Sequence, residues 1–132
     1  MPFGELRAGI LAGVVGFAVA CGGSVIGPEN QLEVANLTDN FQLQATALAD
    51  VTETLTYTWE TTGTGANINQ SGIVTGGSAT LTIENDAGTQ VYSASLAETG
   101  TFQTSTGVAG SWTVRVELSG MSGTLNFRIQ KP

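Results

Sequence analysis

The sequence predicts an all-β fold, an antiparallel β-sandwich of about seven strands that follows an N-terminal signal or anchor segment. Apolar and polar residues alternate with a period of two through most of the chain after Cys21, which is typical of strands with one buried face. Glycine-containing turns separate these runs at short intervals, as they do in sandwiches built from hairpins. No stretch after Cys21 has a convincing helical period.

The alternation is clearest where threonine occupies the polar phase, because a side chain branched at Cβ favours extended backbone. Leu55, Tyr57 and Trp59, for example, alternate with threonines. Trp59 and Trp112 both fall on the inward phase, so we expect them near the centre of the core. The predicted strands cover residues 32–37, 41–47, 54–59, 78–83, 91–96, 111–118 and 124–130.

Two segments are predicted to form tight hairpin turns. They are Asn85-Asp86-Ala87-Gly88 and Ser119-Gly120-Met121-Ser122-Gly123. Glycine adopts left-handed backbone at little cost, which such turns require. Between the predicted strands 54–59 and 78–83, glycines recur often enough to predict a looser middle region.

The first 20 residues have the pattern of a signal peptide. A short polar head carries Arg7, and residues 8–20 then contain no charge. A signal-peptide core takes about 7–15 apolar residues, whereas a membrane-spanning helix takes about 20. The small residues Ala18, Val19 and Ala20 lie just before Cys21, as a signal peptidase requires.

This arrangement resembles the lipobox of bacterial lipoproteins. In that family the cysteine thiol carries a diacylglyceryl group and the chain is cut just before it. The resemblance implies cleavage between Ala20 and Cys21, lipidation of Cys21, a linker over residues 21–30 and an exported, membrane-anchored protein. Gly22 after the cysteine implies the outer membrane or cell surface rather than the inner membrane. The alternative is an uncut helix, because no charge occurs from residue 8 to residue 28.

The remaining residues, 31–132, are expected to form one β-sandwich domain. They resemble the immunoglobulin-like modules of bacterial surfaces, and Tyr57-Thr58-Trp59-Glu60 is similar to the start of the YxWxFGDG motif of PKD domains. Residues 110–129 are similar to the end of the jelly-roll domains appended to secreted bacterial peptidases. These resemblances imply a sandwich, and they imply no particular function.

Composition excludes several classes of function. The formal charge is −7, with 11 acidic and 4 basic residues, which argues against nucleic-acid binding. Histidine is absent, so no imidazole base or imidazole metal site can form. Cys21 is the only cysteine, which rules out a disulfide within the chain. We expect no enzyme activity, no cofactor and no metal.

The candidate ligand contacts are Tyr92 and Tyr57, and we expect Tyr92 to be exposed because it is out of phase with Val91. Asp50 and Glu53 are interpreted as solvated loop charges. The predicted function is a lipid-anchored envelope protein with a non-catalytic binding or structural role, whose partner is an envelope protein or a glycan. The alternatives are a self-assembling surface-layer or fibre subunit and a carbohydrate-binding accessory module.

Overall fold

The computed structural model describes residues 24–132, so the predicted leader and Cys21 lie outside the described residues. A short 3-10 helix at Pro28–Asn30 precedes seven strands. These are β1 (Glu33–Leu37), β2 (Asn40–Thr61), β3 (Asn67–Gln70), β4 (Ile73–Glu84), β5 (Gln90–Ser95), β6 (Gly100–Gln103) and β7 (Gly110–Gln130).

The seven strands form one antiparallel sheet that folds back on itself. The predicted fold class, an all-β sandwich, is therefore confirmed. Residues 40–45 of β2 pair with 125–130 of β7, and residues 53–61 of β2 pair with 110–118 of β7. The pairing shifts register between these two regions. The rings of Phe41 and Tyr57 lie 5.5 Å apart, so the two halves of β2 face each other across the core.

Each half of the folded sheet makes one layer. The first layer runs in the order β1, the start of β2, the end of β7, β3 and β6. The second layer consists of the end of β2, the start of β7, β4 and β5. We call the strip between the layers, at residues 46–52 and 119–123, the bend. Strand β7 therefore lies between two partners in both layers.

The hairpin turn predicted at residues 119–123 is wrong, because β7 continues through it into the other layer. Gly120 and Gly123 have φ angles of 55° and 131°, which kink the strand without reversing it. The predicted strands 41–47 and 54–59 are likewise one strand, β2. Ala47 and Asp50 adopt left-handed φ angles of 54° and 53° at its bend, so Asp50 lies within a strand and not in a loop.

The turn predicted at residues 85–88 is confirmed, and it joins β4 to β5. The backbone N–H of Gly88 donates to the Asn85 carbonyl at 2.9 Å, and Gly88 has a φ of 80°. The Asn85 side chain stabilises the turn, since its Oδ1 accepts from the N–H groups of Ala87 at 2.9 Å and Thr89 at 3.1 Å.

Both tryptophans are fully buried, as the alternation predicts. They lie opposite each other on β2 and β7, with ring centroids 5.8 Å apart and an interplanar angle of 87°. The Trp59 indole N–H donates to the Leu37 carbonyl at 2.9 Å, and that of Trp112 donates to the Val108 carbonyl at 2.7 Å. The indole N–H of each tryptophan thus has a hydrogen-bond acceptor, so burial of either ring leaves no polar group of that ring unpaired.

The segment from Ser24 to Asn30 packs against the sandwich. Ser24 forms a parallel bridge with Val51 at the bend, and its N–H donates to the Asp50 carbonyl at 2.8 Å. Asn30 is buried, and its Nδ2 donates to the carbonyls of Thr46 and Ala47, each at 2.9 Å. The bend is thus the end of the domain at which the described chain begins. No helix within residues 24–132 is long and apolar enough to cross a bilayer.

Candidate functional site

The outer surface of the first layer is covered by amide side chains, and we call it the amide face. On the strands of this layer the alternate residues, such as Phe41, Ile68 and Ile129, are buried, so the residues between them point outward. The outward residues carry eight amides, namely Asn40, Gln42, Gln44, Asn67, Asn69, Gln103, Asn126 and Gln130.

Strand register aligns these amides in rows that cross the layer. In the first row Asn40 pairs with Gln130, Gln130 with Asn67, and Asn67 with Gln103. The second row contains Gln42, Arg128, Asn69 and Thr101. Adjacent strands lie about 4.8 Å apart, and outward residues on one strand lie about 6.7 Å apart. The rows therefore form a regular grid of donors and acceptors.

The amides do not satisfy one another completely. The Oδ1 atoms of Asn40 and Asn67, which flank Gln130, are buried and have no hydrogen-bond partner among the described residues. In the second row the Thr101 hydroxyl donates to Asn69 Oδ1 at 2.7 Å. The first row thus retains hydrogen-bonding capacity that the described fold does not use.

A shallow depression of about 130 Å³ lies at the β1 edge of the amide face, lined by Glu33, Ala35, Gln42 and Gln44. Glu33 contributes a negative charge at this edge, and Arg128 contributes a positive charge near the middle of the face. The rest of the face is built mainly of neutral polar groups, and its two large exposed apolar side chains lie at its margins. These are Leu37 at one corner and Ile73 beside Thr124 near the bend, each 62% exposed. Such a surface suits a neutral, hydrogen-bonding ligand better than a strongly charged or apolar one.

The outer surface of the second layer has a different chemistry. Threonine and serine dominate its rows, for example Thr56, Arg115, Thr82 and Ser93 across four strands. The Arg115 guanidinium lies 3.5 Å from the Glu84 carboxylate, so its charge is locally balanced. We call this surface the threonine face, and it provides an internal comparison for the amide face.

The two predicted ligand contacts lie on neither outer face. Tyr57 is half-buried and its ring packs on that of Phe41. Burial, followed by the charge of the nearby Glu53, raises the pKa of Tyr57. Tyr92 is also half-buried rather than exposed, and its hydroxyl donates to Gln70 Oε1 at 2.7 Å. Burial is the main cause that raises the pKa of Tyr92. Both phenols therefore remain protonated at neutral pH.

The end of the sandwich opposite the bend is closed by Asp39. Its Oδ1 accepts from the Thr62 N–H at 2.7 Å and from the Thr61 hydroxyl at 2.9 Å. The Thr62 N–H is the main cause that holds the pKa of Asp39 below its ordinary value, although partial desolvation opposes it. The Asp39 N–H also donates to the Glu60 carbonyl at 2.9 Å, which covers the edge of β2 there.

The sequence pattern placed the polar phase of β2 and β7 correctly but did not single out the amides. The alternation that predicts strands at residues 41–47 and 124–130 puts Gln42 and Gln44 on the polar phase of the first, and Asn126 and Gln130 on that of the second. Strands β3 and β6 were not predicted, so Asn67, Asn69 and Gln103 had no assigned place. The run of Asn and Gln in place of Thr on these strands was the available signal.

Residues 24–132 contain no group of three or more His, Cys, Asp or Glu side chains placed to hold a metal ion. No protein-family model matches the chain, and no curated protein sequence matches it.

Proposed function

We propose that the chain is an exported protein of the cell envelope, anchored by lipid on Cys21, with a non-catalytic binding role carried by the amide face. The amide face is the observation that supports the binding role, because its eight amides lie in register and two of them have buried acceptors without a partner among the described residues. The shallow relief of the face and the absence of histidine from the chain support a binding role over catalysis.

The position of Ser24 supports the lipid anchor. Ser24 is bonded to the bend and lies three residues after Cys21, so cleavage before Cys21 removes none of the described core residues. Three residues span at most about 10 Å, which would hold the bend close to the bilayer. With two or three acyl chains the attachment would be effectively permanent. The outer membrane or the cell surface is the proposed location, because Gly22 follows the cysteine of the segment that resembles a lipobox.

We expect intact-mass spectrometry of the protein, purified from bacterial membranes, to show a chain that begins at Cys21 and carries added acyl mass. Cys21→Ser should abolish both the added mass and the cleavage, because the thiol is the acceptor. A Cys21→Ser/Ser24→Cys variant restores a thiol three residues away and should remain unmodified. A chain that keeps residues 1–20 with a bare Cys21 thiol would contradict the anchor.

A second candidate function, self-association, is favoured by the outer edge of β1. No described strand pairs with that edge, and Leu37 on it is 62% exposed. The corresponding edge of β2 is less accessible, because the Thr52 N–H is bonded to the Ser24 carbonyl and the Glu60 carbonyl to Asp39. Unpaired edge strands with little charge are templates for pairing with another chain, and β1 has one charged residue, Glu33.

Sedimentation of the full Cys21→Ser chain in detergent solution tests this second candidate. If β1 pairs between copies, the apparent mass should rise with concentration, and Leu37→Lys should shift the protein toward monomer by placing charge on the edge. Val108→Lys is the matched control, since Val108 is 51% exposed and lies in the loop between β6 and β7 rather than on β1. A clean monomer at high concentration would exclude self-association.

A further inference from the structure

The amide face has a specific hydrogen-bonding character. Each primary amide offers two N–H donors and a carbonyl acceptor, so each side chain can both donate and accept. Hydroxyl groups have the same dual character, whereas phosphates and carboxylates only accept. A surface of registered amides is therefore complementary to a ligand that carries many hydroxyl groups.

The charges of the face argue against anionic ligands. Arg128 is the cation of the amide rows, Glu33 lies at their edge, and the whole chain has a formal charge of −7. A polyanion would be repelled by the whole molecule and would find one guanidinium on this face. The exposed apolar side chains of the face, Leu37 and Ile73, lie at its margins, so the amide rows between them lack the exposed apolar centre that protein interfaces use.

The unused acceptors strengthen the argument. Asn40 and Asn67 lie on either side of Gln130, and their buried Oδ1 atoms have no partner among the described residues. Rotation of either side chain would bring its amide to the surface and exchange an unpaired acceptor for a bond to a ligand hydroxyl. The cost of leaving a buried acceptor unpaired would be relieved by that exchange.

We infer that the amide face binds a neutral polysaccharide chain, laid across β2, β7, β3 and β6 along the rows of Asn40 and Gln42. This inference rests on the proposed binding role and names the ligand class for the same surface. The first row spans three strand intervals, or about 14 Å, so it contacts more than one sugar ring. The depression beside Gln42 and Gln44 accommodates a substituent at the β1 edge.

Binding of this kind is expected to be weak and reversible. No tyrosine or tryptophan lies on the amide face, so the contacts are hydrogen bonds without ring stacking. A neutral hydrogen bond exchanged with water contributes little net free energy, so dissociation constants on the order of 0.1–1 mM are expected. Many copies of a lipid-anchored protein could bind one polysaccharide together, and this multivalency would compensate for the weak affinity of each site.

The test is titration of the full chain carrying Cys21→Ser, in detergent solution, with two soluble neutral ligands, cello-oligosaccharides and fully N-acetylated chito-oligosaccharides. We expect the side-chain amide resonances of Asn40, Asn67 and Gln130 to shift, and those of Gln90 and Asn85 beside the other layer to stay unchanged. A polyanion, alginate, should cause no shift. Because this variant carries no thiol at residue 21, the outcome is independent of whether the native protein is lipidated.

The Gln42→Met/Gln130→Met double variant removes two amides while it preserves side-chain length. It is expected to weaken binding about tenfold, and Thr82→Val on the threonine face should leave it unchanged. If the double variant fails to fold, the resonance shifts of the parent chain still decide the question. The inference is overturned if no amide-face resonance moves with either oligosaccharide, or if the shifts map to the threonine face. The second result would retain a binding role for the protein and reject this surface.

Discussion

Trp112→Ala is expected to lower the free energy of unfolding by about 3–5 kcal/mol, one of the two largest effects of a single substitution that we expect in this protein. Trp112 is completely buried and packs edge-to-face on Trp59 at a centroid distance of 5.8 Å. Its removal leaves a cavity between the two layers and leaves the Val108 carbonyl without the indole donor. The domain has no disulfide to offset such a loss, because the chain has only one cysteine.

Urea unfolding followed by far-ultraviolet circular dichroism measures this loss without relying on tryptophan emission. Trp112→Phe keeps an aromatic ring but not the N–H, and should cost about 1–3 kcal/mol. Val108→Ala is the matched control, because the Val108 side chain is 51% exposed while its carbonyl, which binds Trp112, is retained. Val108→Ala should change stability by less than about 0.5 kcal/mol. A loss below about 1 kcal/mol for Trp112→Ala would mean that the tryptophan pair does not dominate the core.

Gly123→Ala is expected to cost about 3–5 kcal/mol, or to prevent folding, because two independent penalties act at one residue. The φ angle of Gly123 is 131°, a conformation that residues with a Cβ rarely adopt. A Cβ at this position would also overlap the backbone carbonyl oxygen of Ile73 on the neighbouring strand β4. Because that carbonyl belongs to the sheet backbone, it cannot move aside without breaking the β4–β7 pairing.

Gly76→Ala is the control for this prediction, since Gly76 lies beside the same bend. A Cβ there would meet Ser122 Cβ at an ordinary contact distance of 3.7 Å, and Gly76 has no left-handed φ. We expect Gly76→Ala to be neutral or slightly stabilising in thermal unfolding. Equal melting temperatures for the two variants would contradict the assignment of Gly123 as the residue that requires glycine.

Local sequence signals were sufficient to predict the strands that make up the two layers, but not to predict how the layers are connected. Alternation around Trp59 and Trp112 predicts half-buried strands correctly, because the period of two that marks such a strand is read from residues close together in the chain. The turn at Asn85–Gly88 was also predictable, since its own side chains and glycine determine it. These features need no knowledge of distant residues.

The bend was not predictable from the same signals. Glycines at 120 and 123 are compatible with a reversal or with a kink, and the choice depends on what the strand pairs with on each side. Here β2 and β4 accompany β7 through the bend, so continuing the strand keeps more hydrogen bonds than turning back. The candidate site was unpredictable for a similar reason. Asn40, Gln130 and Asn67 are distant in sequence and become neighbours only through sheet register.

The central position of β7 in both layers has a consequence for how the protein folds. It is the last of the seven strands in chain order, yet β2, β3 and β4 all depend on it for pairing. Neither half of the sandwich can close before the residues of β7 are free to pair. Folding of the domain is therefore governed by contacts between residues far apart in the chain, and of the strand pairs only local ones such as β1–β2 and β4–β5 can form before β7 is available.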